Sequence, residues 1–161
     1  MGKKYYDYNR NYFEEINTSS KAYFFGFIMG DGTIQKPKTT SRSLRIGIQE
    51  RDVEVLEQFI EEIGGDLSQI KLRKRKPPRQ NIVDLIISSN KLVDDLKANG
   101  LETIDKTNIQ EWPSIQKKYV IDFIRGLIDS DGSFTLDVHK KTNACTFWVK
   151  FNGTKKLCEN F

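Results

Sequence analysis

Apolar positions along this chain change period several times, and each change predicts an element. From Ala22 to Met29 the run is almost continuously apolar, preceded by the capping residues Asn17-Thr18-Ser19-Ser20, which predicts a buried helix. Ser43-Leu44-Arg45-Ile46-Gly47-Ile48-Gln49 alternates apolar with polar or small residues, as a half-buried strand does, and Thr33-Ile34-Gln35 is its expected hairpin partner. Between Asp52 and Ile63 the apolar residues Val53, Val55, Leu56, Phe59, Ile60 and Ile63 recur at helical spacing until Gly64-Gly65 ends the run. Gln69 to Lys76, the turn-like Pro77-Pro78-Arg79-Gln80-Asn81 and the β-branched stretch Ile82 to Ser88 predict a second hairpin. Asn90 to Asn99 then predicts a helix with Leu92, Val93 and Leu96 inward, closed by Gly100. Helix, two strands, helix, two strands, helix is the order of an α+β fold, an antiparallel four-stranded sheet covered by helices on one face.

One segment of this order occurs twice. Phe24-Phe25-Gly26-Phe27-Ile28-Met29-Gly30-Asp31-Gly32 is matched a hundred residues later by Ile124-Arg125-Gly126-Leu127-Ile128-Asp129-Ser130-Asp131-Gly132. Each copy carries small residues four apart, Gly26 with Gly30 and Gly126 with Ser130, a spacing that lets two helix backbones approach closely. Each ends in Asp-Gly, so the acid falls at the carbonyl end of the helix dipole, an unfavourable place for a carboxylate. Two such helices packed in parallel would also bring Asp31 and Asp131 together. Divalent cations relieve both penalties, because hard ions take carboxylate and carbonyl oxygens together. The chemistry that uses two such ions is phosphodiester hydrolysis, where they stabilise the attacking and leaving oxygens. One copy alone reads equally as a buried helix with an Asp-Gly turn; two copies with glycine and acid in register leave that reading little room.

In both copies these residues resemble the LAGLIDADG homing endonucleases. The central glycine, the apolar run and the final Asp-Gly carry the resemblance, with Lys21-Ala22-Tyr23 before the first copy and Ser133-Phe134 after the second. The resemblance implies an αββαββα half-unit over residues 21–112, linker included, and the polar, tyrosine-rich residues 1–20 before it read as an N-terminal arm. A partial second repeat over 113–161 would follow. After Asp131 the chain offers one hairpin, Ser133 to Val138 with Thr146 to Phe151, and then a segment from Gly153 that starts like a helix, so the second repeat is expected to be incomplete. Met29 stands where the second copy has Asp129, a departure that leaves the final acid in place. Ile104-Asp105-Lys106-Thr107 with Trp112-Pro113-Ser114 is also similar to the family. It implies a lysine, Lys106, near the metals, able to stabilise phosphorane charge.

Charge adds a surface. The 161 residues carry a formal +4 with pI near 9.0, a modest excess whose distribution matters more than its size. Lys71, Arg73, Lys74, Arg75, Lys76 and Arg79 cluster on the second hairpin, where they are expected to contact phosphates. Gln35, Arg42, Arg45 and Gln49 on the first hairpin are expected to read base edges, since a twisted ribbon fits the major groove. The two cysteines and His139 make no zinc-ligand pattern, no apolar run is long enough to span a bilayer, and Met1-Gly2-Lys3-Lys4 does not lead into a signal core. A cytoplasmic or nucleoid-associated protein is expected. No splice-junction cysteine or terminal His-Asn suggests an intein.

Taken with the resemblance, these residues predict an endonuclease of a mobile genetic element, as in intron homing. It would make a staggered double-strand cut in double-stranded DNA with two or more Mg2+ ions. Asp31 and Asp131 would hold metal, helped by the carbonyls of Gly30 and Ser130. The alternative is a maturase-like or regulatory DNA-binding protein on the same scaffold without cleavage. An unfinished second repeat further predicts self-association, or a second chain that completes it.

Overall fold

The structure, a computed structural model, describes residues 6–35, 41–102 and 106–161. The chain divides into two compact units, one formed by residues 1–15 and 31–99 and the other by residues 16–30 and 100–161.

Unit 1 holds a four-stranded antiparallel sheet. Strands β1 (Gly32–Gln35), β2 (Ser43–Gln49), β3 (Lys71–Arg73) and β4 (Ile82–Ser88) lie in the order β1-β2-β4-β3. Alternation along the two central strands sorts their side chains: Leu44, Ile46 and Ile48 of β2 and Val83, Leu85 and Ile87 of β4 are buried. Two amphipathic helices supply the rest of this core. Helix α2 (Val53–Glu62) buries Leu56, Phe59 and Ile60, and α3 (Asn90–Ala98) buries Leu92, Val93 and Leu96. Ser89 caps α3, its hydroxyl accepting from the Leu92 amide at 3.2 Å. The N-terminal arm is anchored here, with Tyr12 and Phe13 buried and the Phe13 ring 6.1 Å from that of Phe59.

The second hairpin is shorter than its sequence predicts. Strand β3 pairs only through Lys71, Leu72 and Arg73, because Arg73 already faces Ile82, where β4 begins. Beyond that point a strand has no ladder to join. Lys74, Arg75, Lys76 and Arg79 therefore lie on the exposed connection between β3 and β4.

Unit 2 is built on two helices. Helix α1 (Ser19–Asp31) belongs to it up to Gly30, and α5 (Val120–Asp131) belongs to it whole. Helix α1 buries Ala22 and every residue from Phe24 to Met29, as a helix does that is apolar all round. Helix α5 leads into a hairpin, β5 (Gly132–Val138) with β6 (Cys145–Phe151), and the short α6 (Lys155–Cys158) follows. Cross-strand register puts Phe134 opposite Val149 and Leu136 opposite Phe147, and this apolar face is open, with Phe147 62% exposed. Among the described residues no helix is long and apolar enough to cross a membrane.

Candidate nucleic-acid and metal site

The repeated motif produces a reciprocal backbone contact within unit 2. A Cβ placed on Gly26 would lie 2.2 Å from the Phe123 carbonyl oxygen, and one on Gly126 would lie 2.0 Å from that of Tyr23. Each glycine therefore receives the backbone of the other helix, and no other residue permits that approach. Phe25 and Phe123 flank the seam with ring centroids 6.0 Å apart, and Trp112 meets Phe123 edge-on at 5.2 Å.

One turn further on, the seam becomes polar. At Gly30 a Cβ would meet the Ser130 hydroxyl at 1.9 Å and Asp131 Oδ2 at 3.1 Å, so the Asp131 carboxylate lies against bare backbone. Asp131 is exposed and ends α5; Asp31, one residue past Gly30, ends α1. The Ser130 hydroxyl donates to the Leu127 carbonyl at 3.0 Å. Among the described residues no three His, Cys, Asp or Glu side chains converge. A divalent ion at Asp131 would draw on carboxylate, carbonyl and water oxygens, the donors hard cations take. The Ser130 hydroxyl fills the space a Cβ on Gly30 would take, and the Asp131 carboxylate beside it is an oxygen donor of the kind hard divalent ions accept.

A cavity of about 440 Å³ opens beside this point, lined by Gly30, Leu127, Asp131, Gln110, Thr154 and Leu157, among others. Gln110 holds its wall: its amide donates to the Gly100 and Glu111 carbonyls at 2.8 Å each and accepts from the Glu102 amide at 2.9 Å. The Thr154 hydroxyl donates to the Gln110 carbonyl. Nothing in the spacing of Gln110 signals this role.

The departure between the two motif copies also has a structural reason. Met29 is buried, whereas Asp129 is exposed and accepts the Tyr23 hydroxyl at 2.9 Å. The Arg125 guanidinium sits 5.1 Å from the Tyr23 ring centre. Burial, followed by the hydrogen bond to Asp129 and the charge of Asp129, pushes the Tyr23 phenol well above its ordinary range. A folded-state pKa above the unfolded value contributes stability that is present below about pH 10 and lost at higher pH. Thermal melting of the wild type is therefore expected to fall more steeply above pH 10 than that of Tyr23→Phe. Parallel curves would show that the phenol is not held in this way.

The polar face of the unit 1 sheet gathers five of the sequence candidates. Register places Gln35 opposite Ser43, Arg45 opposite Thr33, Gln49 opposite Ile82, Lys71 opposite Asp84 and Arg73 opposite Ile82, all on the side away from the buried residues. Arg42 stands apart, with its guanidinium forked on Asp94 of α3 at 2.6 and 2.7 Å. That hydrogen-bonded guanidinium holds the Asp94 carboxyl below its usual range. Lys106 opens the short helix α4 (Lys106–Ile109), and its side chain lies outside the described residues.

No protein-family model matches the chain, and no curated protein does. Among solved structures the chain is similar to the LAGLIDADG homing endonuclease I-GzeII in complex with its DNA target, with a TM-score of 0.46 and 9% identity over 81% of this chain. It is also similar to I-DmoI in complex with target DNA nicked in the coding strand, in the presence of manganese, with a TM-score of 0.43 and 17% identity over 83% of this chain. The LAGLIDADG meganuclease I-CpaMI bound to uncleaved DNA gives 0.43 and 12% over 80%. This chain spans 65% of the length of I-GzeII, 64% of I-CpaMI and 88% of I-DmoI.

Proposed function

We propose that this chain is a site-specific DNA endonuclease of the LAGLIDADG kind, making a staggered, metal-dependent double-strand cut. The observation that carries this reading is the reciprocal glycine seam between α1 and α5, two copies of one motif that each end in an aspartate. Packing alone explains the glycines but not the acids, which sit at the disfavoured end of a helix dipole.

Asp31 and Asp131 are the residues that would hold Mg2+, with the carbonyls of Gly30 and Ser130. When bound, the ions would lower the pKa of a water and stabilise charge on the attacking and leaving oxygens. The chain's own contribution is to place the Asp131 carboxylate beside the Gly30 backbone, with an open cavity next to it that could take a hydrated phosphate. Lys106 is proposed to face the same phosphate. The polar sheet face supplies base and phosphate contacts through Gln35, Arg45, Gln49, Lys71 and Arg73, and the connection after β3 adds Lys74, Arg75, Lys76 and Arg79.

Incubating the protein with randomised duplex DNA, in Mg2+ or in chelator, and sequencing the new ends tests this reading. Enriched staggered ends that need the metal and vanish in Asp31→Asn are the expected result. Salt-sensitive retention of duplex with no new ends would leave a DNA-binding protein and remove the nuclease.

A further inference from the structure

On the polar face of the unit 1 sheet, a cluster of charge has no explanation in the proposed cleavage chemistry. Asp84 interrupts the apolar strand β4, its side chain only 14% exposed, and it binds two arginines from the strands on either side. Arg45 of β2 donates Nε and Nη2 to Asp84 Oδ1 at 2.9 and 2.6 Å. Arg73 of β3 donates Nε to Oδ2 at 2.9 Å and Nη2 to Oδ1 at 3.2 Å.

Two features distinguish this from an ordinary cross-strand ion pair. One carboxylate balances one guanidinium, so the cluster keeps a positive charge on a face already carrying Lys71. Both arginines also dock by the same Nε–Nη2 edge, which leaves the Nη1 edge of each outside the ion pair. A guanidinium fixed on one edge presents paired N–H donors on the other, the arrangement that matches O6 and N7 of guanine in the major groove. Gly47 makes room for the arrangement: it lies opposite Asp84, and a Cβ there would come 2.8 Å from Oδ1.

We propose that Asp84 is a positioning residue that holds Arg45 and Arg73 as preformed guanine-reading forks, and that the DNA site read by this sheet contains guanine where they dock. The proposal rests on the DNA-binding part of the reading above. A long, mobile arginine otherwise loses much rotamer freedom on docking; here Asp84 has already ordered it.

The test uses the full chain and selection of retained duplexes from a randomised pool, with and without divalent cation. Guanine is expected at one or two adjacent positions of the selected site. Replacing it there by 7-deazaguanine, which lacks the N7 acceptor, is expected to weaken wild-type binding about 10- to 100-fold. In Asp84→Asn, binding to the guanine duplex falls to about the level of the 7-deaza duplex and no longer responds to the replacement. Gly47→Ala, which displaces the carboxylate without removing it, is expected to give a partial form of the same loss. A selected site without guanine, or a 7-deaza penalty unchanged in both variants, overturns the proposal and leaves DNA binding standing. No retention of any duplex by the wild type overturns DNA binding itself and this proposal with it.

Discussion

Gly26→Ala is expected to destabilise the protein by about 3 kcal/mol in urea unfolding, although alanine in an ordinary helix interior gains about 1 kcal/mol over glycine. The added methyl would meet the Phe123 carbonyl oxygen at 2.2 Å and the Leu127 amide nitrogen at 3.1 Å, both main-chain atoms of α5. No rotamer change relieves a clash with backbone, so the helices must part, and parting loosens the packing of Phe25 on Phe123. Gly126→Ala is expected to cost a similar amount, since its methyl meets Tyr23 and Phe27 backbone at 2.0 and 2.7 Å. The double variant should cost much less than the sum, because one separation relieves both clashes. Additive losses, or a stability gain in either single variant, would show that the helices do not share this seam.

Asp131→Asn is expected to split function from stability. Strand scission should fall by at least on the order of 100-fold, the scale set by removing one preorganised group that stabilises transition-state charge. Stability should rise by about 0.3–1 kcal/mol, because a carboxylate at the carbonyl end of a helix opposes the dipole and asparagine does not. Cleavage is followed on the duplex recovered from the randomised pool, and stability by urea unfolding in chelator. Retained cutting removes Asp131 from the chemistry. Lost cutting with lost stability makes it a structural residue. Gain of stability with loss of cleavage is the signature of an acid kept for function.

Where one apolar period dominated, the sequence was readable almost to the residue. The spacing from Val53 to Ile63 predicts α2, observed as Val53–Glu62, and the alternation from Ser43 to Gln49 predicts β2 with those bounds. The basic run was less readable, since strand ends are set by the partner: β3 stops at Arg73 because β4 starts at Ile82, and no property of Lys74 to Lys76 reveals this. For the site, the glycines at matching positions of the two motif copies predicted the close helix approach that Gly26 and Gly126 make. Asp84 lies within a β-branched stretch that signals a strand and nothing more. A lone acid in such a strand is a local signal, but its partners Arg45 and Arg73 lie 39 and 11 positions away and are set by register alone. Arg42 illustrates the converse, since its fork on Asp94 depends on how α3 packs.

Unit 2 joins residues 16–30 to residues 100–161, and this discontinuity has a consequence during synthesis. Helix α1 leaves the ribosome early with Phe24, Phe25, Phe27, Ile28 and Met29 ready for burial, yet the helix that receives it spans Val120–Asp131. At about 5–20 residues per second, the hundred residues between Gly26 and Gly126 take roughly 5–20 s to add. Unit 1 has all of its strands and helices by Asn99 and can close first. For that interval the nascent chain carries the apolar run from Phe24 to Met29 without the helix that receives it, a point at which aggregation competes with folding.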